Sequence, residues 1–330
     1  MHMRAGLALS LLTLMAATGA VGFGTISLMG QNAEHERITR HALTCGLGAS
    51  ADICFQSKSV DELAGKSGAF GAVGAPDNPV RGLLTSSFSH CDNGDSVATK
   101  DYPQNQAAAQ NMLVGCRSVM MAHLNEAVND AGALLYSDSG LFHNKGEVNG
   151  SEIPSYISCT YMGTKGRAKC NVLEDLGLLL HASEDFYSHS NWVDKADAGP
   201  ITLSNPAGLG NNFIAPWLDL RVGAPAFPAG LITGCFDDLS LASPSKGCSG
   251  HVKHEDLNKD KGTIDPSIGV GTTNRGKIGD NFARAVNIAE LDARDKIRTF
   301  KEKLEAKYGK AAGDRMFCAV TNDDPTSNCK

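Results

Sequence analysis

The sequence has few aromatic residues and no excess of positive charge. Phe, Trp and Tyr make up 6% of its 330 residues, whereas glycine and alanine are abundant. This composition favours closely packed helices with long glycine-rich connections over a β-sandwich. Lysine and arginine number 30 against 36 acidic residues and are scattered, so no dedicated nucleic-acid surface is evident. The hydrophobic content of 42% is enough for a sizeable core.

Long apolar runs are absent outside the N-terminus. Arg4 is followed by an almost wholly apolar stretch, residues 5–17, and then by small residues. This pattern predicts a secretory signal peptide, residues 1–20, cleaved after Ala20. The alternative is an uncleaved anchor, because the uncharged stretch is long enough to cross a bilayer. Interrupting glycines favour cleavage, so we expect a secreted or periplasmic protein with one domain over residues 21–330.

The sequence has no Cys-x-x-Cys motif, which weakens any zinc-finger interpretation. It does have ten cysteines, and an even number suits an oxidising compartment. Connectivity cannot be deduced from sequence, and we predict pairing between successive cysteines on the simple ground that it closes short loops. The predicted pairs are 45–54, 91–116, 159–170, 235–248 and 318–329.

Hydrophobic periodicity predicts an all-α fold. Apolar residues recur at helical spacing in several long segments, and stretches rich in Gly, Pro, Ser and Asn separate them. The predicted helices are Ala33–Leu47, Gln104–Leu135, Val172–Ser188 and Asn281–Tyr308, and the predicted long loops are 64–104, 137–170 and 195–250. We therefore expect a single helical domain with long loops tied by disulfides.

Three side chains with metal-binding chemistry stand at four-residue steps on the most apolar predicted helix. His181, Asp185 and His189 fall near one line on a helix that is apolar nearly all round. Burying them without partners would cost several kcal/mol, which metal coordination can offset. The alternative is a solvated helix end. Spacing alone leaves the two interpretations about even.

Other histidines and acids favour the metal interpretation. Imidazole and carboxylate together suit zinc, and a multinuclear site needs bridging carboxylates. His123 and His143 are weaker candidates, and His123 lies on a core-like helix face, where a satisfied buried histidine is the more common case. The further candidate ligands are His35, Asp77, His90, His251, His254 and Glu255.

Residues 180–194, Leu-His-Ala-Ser-Glu-Asp-Phe-Tyr-Ser-His-Ser-Asn-Trp-Val-Asp, closely resemble a known signature. It is that of the fungal heterokaryon-incompatibility protein C family and its bacterial relatives. Residues 248–260, which end in Leu-Asn-Lys-Asp, resemble a second and looser block of that family. The family in turn is similar to zinc-dependent phospholipase C and the single-strand-specific zinc nucleases, which are all-α enzymes with three clustered zinc ions.

The resemblance implies a ligand order. In those enzymes an N-terminal amine and a His come first, then Asp and His about a dozen residues apart. A His-x-x-x-Asp helix with a following His comes next, and a last His with a carboxylate ends the series. The positions here that match are His35; Asp77 and His90; His181, Asp185 and His189; and His251 or His254 with Glu255. Departures are that cleavage after Ala20 leaves Val21 fourteen residues before His35, and that His189 follows Asp185 more closely than in the phospholipases.

The resemblance implies a phosphoesterase that uses two to three zinc ions to activate water, with a lipid or small-molecule phosphoester as substrate. Asp77 is the candidate catalytic residue, as bridging ligand or general base, and Glu184 is a candidate for orienting a ligating histidine. One alternative is a non-enzymatic secreted protein of incompatibility or toxin type that binds a membrane or partner and has a structural zinc site. A second alternative is a zinc nuclease, which we rank lower because few aromatic residues are near the site to stack bases.

Overall fold

The all-α prediction is confirmed. A computed structural model of the chain describes residues 23–27, 30–47, 49–68, 70–136, 139–143, 145–148, 167–223, 226–237, 247–265 and 267–330. These residues form helices joined by long loops, and only isolated β-bridges occur among them. The predicted signal peptide lies outside the described residues.

The described residues form nine α-helices. They are α1 (Glu34–Leu43), α2 (Ser57–Ala64), α3 (Gln106–Asp130), α4 (Lys145–Val148), α5 (Ala168–His189), α6 (His254–Leu257), α7 (Asn281–Tyr308), α8 (Lys310–Thr321) and α9 (Pro325–Asn328). Short 3₁₀ turns lie at Pro79–Arg81, Ala131–Leu134, Pro216–Leu218 and Ile278–Asp280. None of the described helices combines the length and the apolar character needed to cross a bilayer.

Local sequence explains where the long helices begin and end. The side chain of Asn105 caps α3, because its Oδ1 accepts from the Ala108 amide at 2.9 Å. Gly309 ends α7 with a φ of 82°, which an L side chain rarely adopts. Helix α5 begins four residues before its predicted start at Val172 and ends where Ser190 becomes extended.

Helix α5 lies at the centre of the fold. Every residue of α5 except Asp175 is buried, which follows from a sequence that is apolar nearly all round. Its principal neighbours are α3 and α7. On the side that faces α7, the Ser183 hydroxyl donates to Asp292, which also accepts from Lys296 at 2.5 Å. The polar residues of α5 other than Asp175 are therefore enclosed by protein rather than exposed to water.

Four of the predicted disulfides are present. They join Cys45 to Cys54, Cys91 to Cys116, Cys235 to Cys248 and Cys318 to Cys329. The fifth predicted pair includes Cys159, which lies outside the described residues. Cys91 stands between His90 and Asp92 in the loop after α2. Its disulfide bond to Cys116 therefore ties this loop to α3.

Candidate metal centre

Helix α5 carries the middle of the centre on one face. His181, Asp185 and His189 are fully buried. His181 Nε2 lies 3.0 Å from Asp185 Oδ2, and His189 Nε2 lies 3.8 Å from Asp185 Oδ1. The two oxygens of Asp185 therefore face different neighbours.

A first group forms around Asp185 Oδ2. His90 Nδ1 is 2.9 Å from this oxygen and 3.0 Å from His181 Nε2. Asp77 Oδ1 is 3.9 Å from each of these two nitrogens. Four potential ligand atoms thus meet in one buried space, and they come from the loop after α2 and from α5.

A second group forms around Asp185 Oδ1. His35 Nε2, from α1, lies 3.1 Å from this oxygen, and the backbone nitrogen of Phe23 also lies 3.1 Å from it. His35 stacks on His181 with ring centroids 4.2 Å apart. The start of the described chain therefore reaches the same carboxylate as α1 and α5.

A third group lies one helical turn along α5. His189 Nε2 is 3.3 Å from Asp260 Oδ1, and His254 Nε2 is 3.4 Å from Asp260 Oδ2. The two imidazole rings meet edge to face, with centroids 4.3 Å apart. All three side chains are almost completely buried.

Backbone and carboxylate acceptors hold the other ring nitrogens. His181 Nδ1 is 2.8 Å from the Val73 carbonyl, and His189 Nδ1 is 2.9 Å from the His90 carbonyl. A carbonyl accepts only from N–H, so in both rings Nδ1 has the proton and Nε2 is available as a ligand. His35 Nδ1 is 2.6 Å from Glu184 Oε2.

Glu184 therefore orients a candidate ligand histidine, as predicted from the sequence, and that histidine is His35 of α1. The other carboxylate oxygen of Glu184 accepts from the Thr39 hydroxyl at 2.7 Å. Such partners fix ring orientation and raise ligand basicity.

Two glycines allow the segments to approach. A Cβ on Gly177 would lie 2.3 Å from the Ala72 carbonyl carbon, so only glycine lets this loop lie against α5 and present the Val73 carbonyl to His181. A Cβ on Gly234 would lie 2.4 Å from the Cα of His254. A larger residue at position 177 would displace the backbone that presents the Val73 carbonyl to His181, and one at position 234 would displace His254.

Several buried atoms of the centre have no hydrogen-bond partner among the described residues. They are both carboxylate oxygens of Asp77, His35 Nε2, His90 Nε2 and His189 Nε2. An unsatisfied buried polar group costs about 1–3 kcal/mol, more if it is charged. Bound metal ions would satisfy all of these except His90 Nε2, because His90 faces the first group with Nδ1. The remaining unsatisfied atoms therefore fit a metal centre.

The electrostatics of the buried centre keep its acids ionised and favour protons or other cations on most of its imidazoles. Burial alone would lower the pKa of His35, but Asp185 and Glu184 raise it to about 10. Burial lowers the pKa of His181, although Asp185 acts in the opposite direction. For Asp185, burial acts to raise the pKa, yet the surrounding histidines hold it well below its usual range. The ionised Asp185 carboxylate is in the state that metal binding needs, whereas His35 must release its proton when a metal ion binds.

Two predicted ligands lie elsewhere. The Glu255 side chain is 56% exposed and pairs with Lys253, because it points away from the buried side of α6. His251 Nδ1 contacts Asp95 Oδ2 at 2.7 Å, and Tyr102 donates to the same oxygen. The nearby Cys235 is disulfide-bonded and offers no thiolate, so this small cluster lacks a third ligand.

The structure brings together seven of the nine predicted ligands, and these buried His and Asp groups can hold metal ions. The seven are His35, Asp77, His90, His181, Asp185, His189 and His254. Three participants were not predicted from the sequence, and they are the backbone nitrogen of Phe23, Asp92 and Asp260. Asp260 closes the Leu-Asn-Lys-Asp block, and that block was the signal that could have found it.

No family model, curated protein or solved structure matches this chain.

Proposed function

We propose that the chain is a secreted zinc-dependent phosphoesterase with the helical architecture of the zinc-dependent phospholipases C, and a member of the heterokaryon-incompatibility protein C-like group. One observation carries the proposal: groups from four separate segments converge on the two oxygens of Asp185 and on a neighbouring acid, in the chain order that the resemblance implies. A purely structural helix end has no need of such convergence.

The ligand set and its spacing fit zinc. Zinc prefers nitrogen and oxygen ligands at about 2.0–2.1 Å in a tetrahedron, so neighbouring ligand atoms lie about 3.3–3.4 Å apart. The closest contacts among the ligand atoms are 2.9–3.4 Å. One ion would be held by Asp77, His90, His181 and Asp185, a second by His35, Asp185 and the Phe23 nitrogen, and a third by His189, His254 and Asp260.

The bound ions would supply Lewis acidity toward phosphoryl oxygens and bring the pKa of water toward neutrality. The protein supplies the remaining parts. Asp185 bridges two groups and keeps them in register, and Glu184 keeps His35 aimed at the centre. Asp77 stands farther from His90 and His181 than Asp185 does, and neither of its oxygens has a hydrogen-bond partner among the described residues. One oxygen can join the ligand set, and the other can accept the proton of the attacking water.

The position of Phe23 changes the expected processing site. A peptide nitrogen binds metal poorly, but an α-amine is a good ligand. Cleavage between Gly22 and Phe23 would create that amine 3.1 Å from Asp185 Oδ1. Ala20-Val21-Gly22 offers the small-x-small pattern that such cleavage requires. We therefore propose cleavage two residues after the position favoured by sequence alone, and the disulfides suit export to an oxidising compartment.

Mass spectrometry of the exported protein tests this processing. The proposal predicts a mature chain that begins Phe-Gly-Thr. A mature chain that begins at Val21, with full metal content, would remove the amine from the ligand set.

Hydrolysis by the purified exported protein tests the function itself. We expect cleavage of a generic phosphate mono- or diester, loss of that activity in EDTA and its return with Zn²⁺. Asp185→Asn should be inactive, and Glu255→Gln, an exposed acid outside the centre, should match wild type. Cleavage that is indifferent to the chelator, or none by zinc-loaded protein, would contradict the proposal.

Burial of the whole centre favours a second candidate function. Each candidate ligand side chain of the three groups is at most 4% exposed. Buried ions with no room for substrate would suit a secreted, non-enzymatic protein with structural zinc. Zinc-loaded protein that hydrolyses neither phosphoesters nor single-stranded DNA, but unfolds when the metal is removed, would support this function instead.

A further inference from the structure

Asp92 faces two histidines of the third group at once. Its Oδ1 lies 3.1 Å from His189 Nδ1 and 3.1 Å from His254 Nδ1. The side chain is 3% exposed. These two histidines come from helix α5 and from a segment sixty-five residues later, and the Asp92 carboxylate is common to both.

The opposite ring nitrogens point away from Asp92 and toward Asp260. His189 Nε2 and His254 Nε2 lie 3.3 and 3.4 Å from the two oxygens of Asp260. This is the spacing of atoms that share a tetrahedral ion, about 3.3–3.4 Å. The His90 carbonyl also accepts from His189 Nδ1 at 2.9 Å, so the proton is on the Asp92 side of that ring.

We propose that Asp92 is a positioning residue that holds both imidazoles with Nδ1–H toward itself, and thereby presents both Nε2 atoms and Asp260 to the third metal ion. Asp92 lies on the far side of both rings from the ligand atoms, so it acts through the histidines. The inference rests on the proposed function only in requiring that the centre holds metal ions.

The backbone around Asp92 is fixed independently of its carboxylate. The Asp92 amide donates to the Ser87 carbonyl at 2.9 Å, and Cys91 is disulfide-bonded to α3. The next amide, of Asn93, donates to the Gly234 carbonyl at 2.9 Å. Replacing the carboxylate should therefore change the histidines without unfolding the loop.

Asp95 provides a matched control. It is three residues away, is equally buried and accepts from His251 and Tyr102, but it stands outside the centre. Asp95→Asn removes the same charge from the same loop.

The experiment measures zinc per chain, and zinc affinity by chelator competition, for wild type and for Asp92→Asn, Asp92→Ala, Asp260→Asn and Asp95→Asn. Loss of a partner of a ligating histidine weakens metal binding by about 10–100-fold. We expect that loss for one ion only in both Asp92 variants, larger for Ala, with the other two ions retained as proof of folding. Asp260→Asn should lose the same ion completely, and Asp95→Asn should keep all three.

Imidazole nitrogen NMR gives a readout that a merely structural role would not move. In zinc-loaded wild type, His189 and His254 should both have the proton on Nδ1, and in Asp92→Ala the Nδ1 preference of His254 should weaken because only His189 keeps the His90 carbonyl. Unchanged affinity in Asp92→Ala would overturn the inference. Equal loss of the ion in Asp92→Asn and Asp260→Asn at every zinc concentration would also overturn it, because Asp92 would then be a ligand. Wild type that holds ions but hydrolyses nothing contradicts the proposed function alone, since these measurements use no substrate.

Discussion

The pairs His181/Asp185 and His251/Glu255 both place a histidine four residues before an acid, but the two pairs lie in opposite surroundings. In α5, His181 and Asp185 are fully buried, and their potential ligand atoms lie close to those of groups from three other segments. In the later segment, His251 is partly exposed and binds Asp95, while Glu255 extends into solvent. The same spacing therefore builds a centre in one place and an ordinary surface in the other.

Helix continuity accounts for the difference. Helix α5 runs for 22 residues, so four-residue steps stay on one face. Helix α6 has only four residues and begins at His254, because Asp256 Oδ2 accepts from the Lys253 amide at 2.9 Å and fixes its start. His251 lies before that start and shares no helical face with Glu255. A four-residue spacing is informative only where the helix covers both positions.

The largest expected effect comes from Asp185→Asn, since both oxygens of Asp185 take part in the centre. We expect loss of at least the two ions held through His35 and His181, and a fall in kcat/KM of more than about 1,000-fold. Asp175→Asn is the matched control, because Asp175 lies on the same helix and also binds a histidine, His123, at 2.9 Å. Metal analysis and ester hydrolysis on both variants check the prediction. Equal behaviour of the two variants would contradict it.

The next largest effect is expected from Asp260→Asn, with Glu255→Gln in the same block, residues 248–260, as its comparison. Asp260→Asn should remove one ion, because Asp260 lies between His189 and His254. Glu255→Gln should change neither metal content nor activity, because its side chain is exposed. If Glu255→Gln lost the ion and Asp260→Asn kept it, the four-residue spacing would be the correct guide after all.

A smaller effect is expected from Glu184→Gln. Glu184 holds His35 Nδ1 at 2.6 Å without facing the ligand atoms. Weakening this contact should reduce affinity for the ion at His35 by about 10–100-fold while the protein stays folded. Chelator competition measures the affinity, and Zn²⁺ in excess should restore activity. Activity that excess zinc fails to restore would point to a different role for Glu184.

The smallest effect is expected from His251→Ala. His251 contributes a hydrogen bond to Asp95 and no ligand atom to the three groups. We expect full metal content and a decrease in the free energy of unfolding of about 1–3 kcal/mol, since Asp95 is left with a missing donor. Urea denaturation and metal analysis check both parts. Loss of an ion would place His251 in the centre.

The predictable parts of the fold are those set by local periodicity. The bounds of α7 match the prediction at both ends, and the core of α5 was predicted because its apolar residues leave no solvent face. Helices α2 and α8 were not predicted, since each is short and its burial depends on neighbours distant in sequence. Successive pairing of cysteines worked wherever the structure describes both partners.

Site residues were predictable where a histidine or acid lies on a long helix or within one of the two blocks that resemble the family. Asp260 was missed because a turn after α6, rather than helical spacing, carries it to His189. Asp92 was missed because its role depends on two histidines brought together by the fold. Phe23 takes part through its backbone nitrogen, and a pattern of side chains cannot predict a backbone contact.

Metal stoichiometry of the purified, exported protein tests the central claim most directly. The three groups around Asp185 and Asp260 predict about three zinc ions per chain, with Asp185→Asn retaining at most one. A protein that contains no zinc, or a single ion that survives Asp185→Asn, would contradict the account.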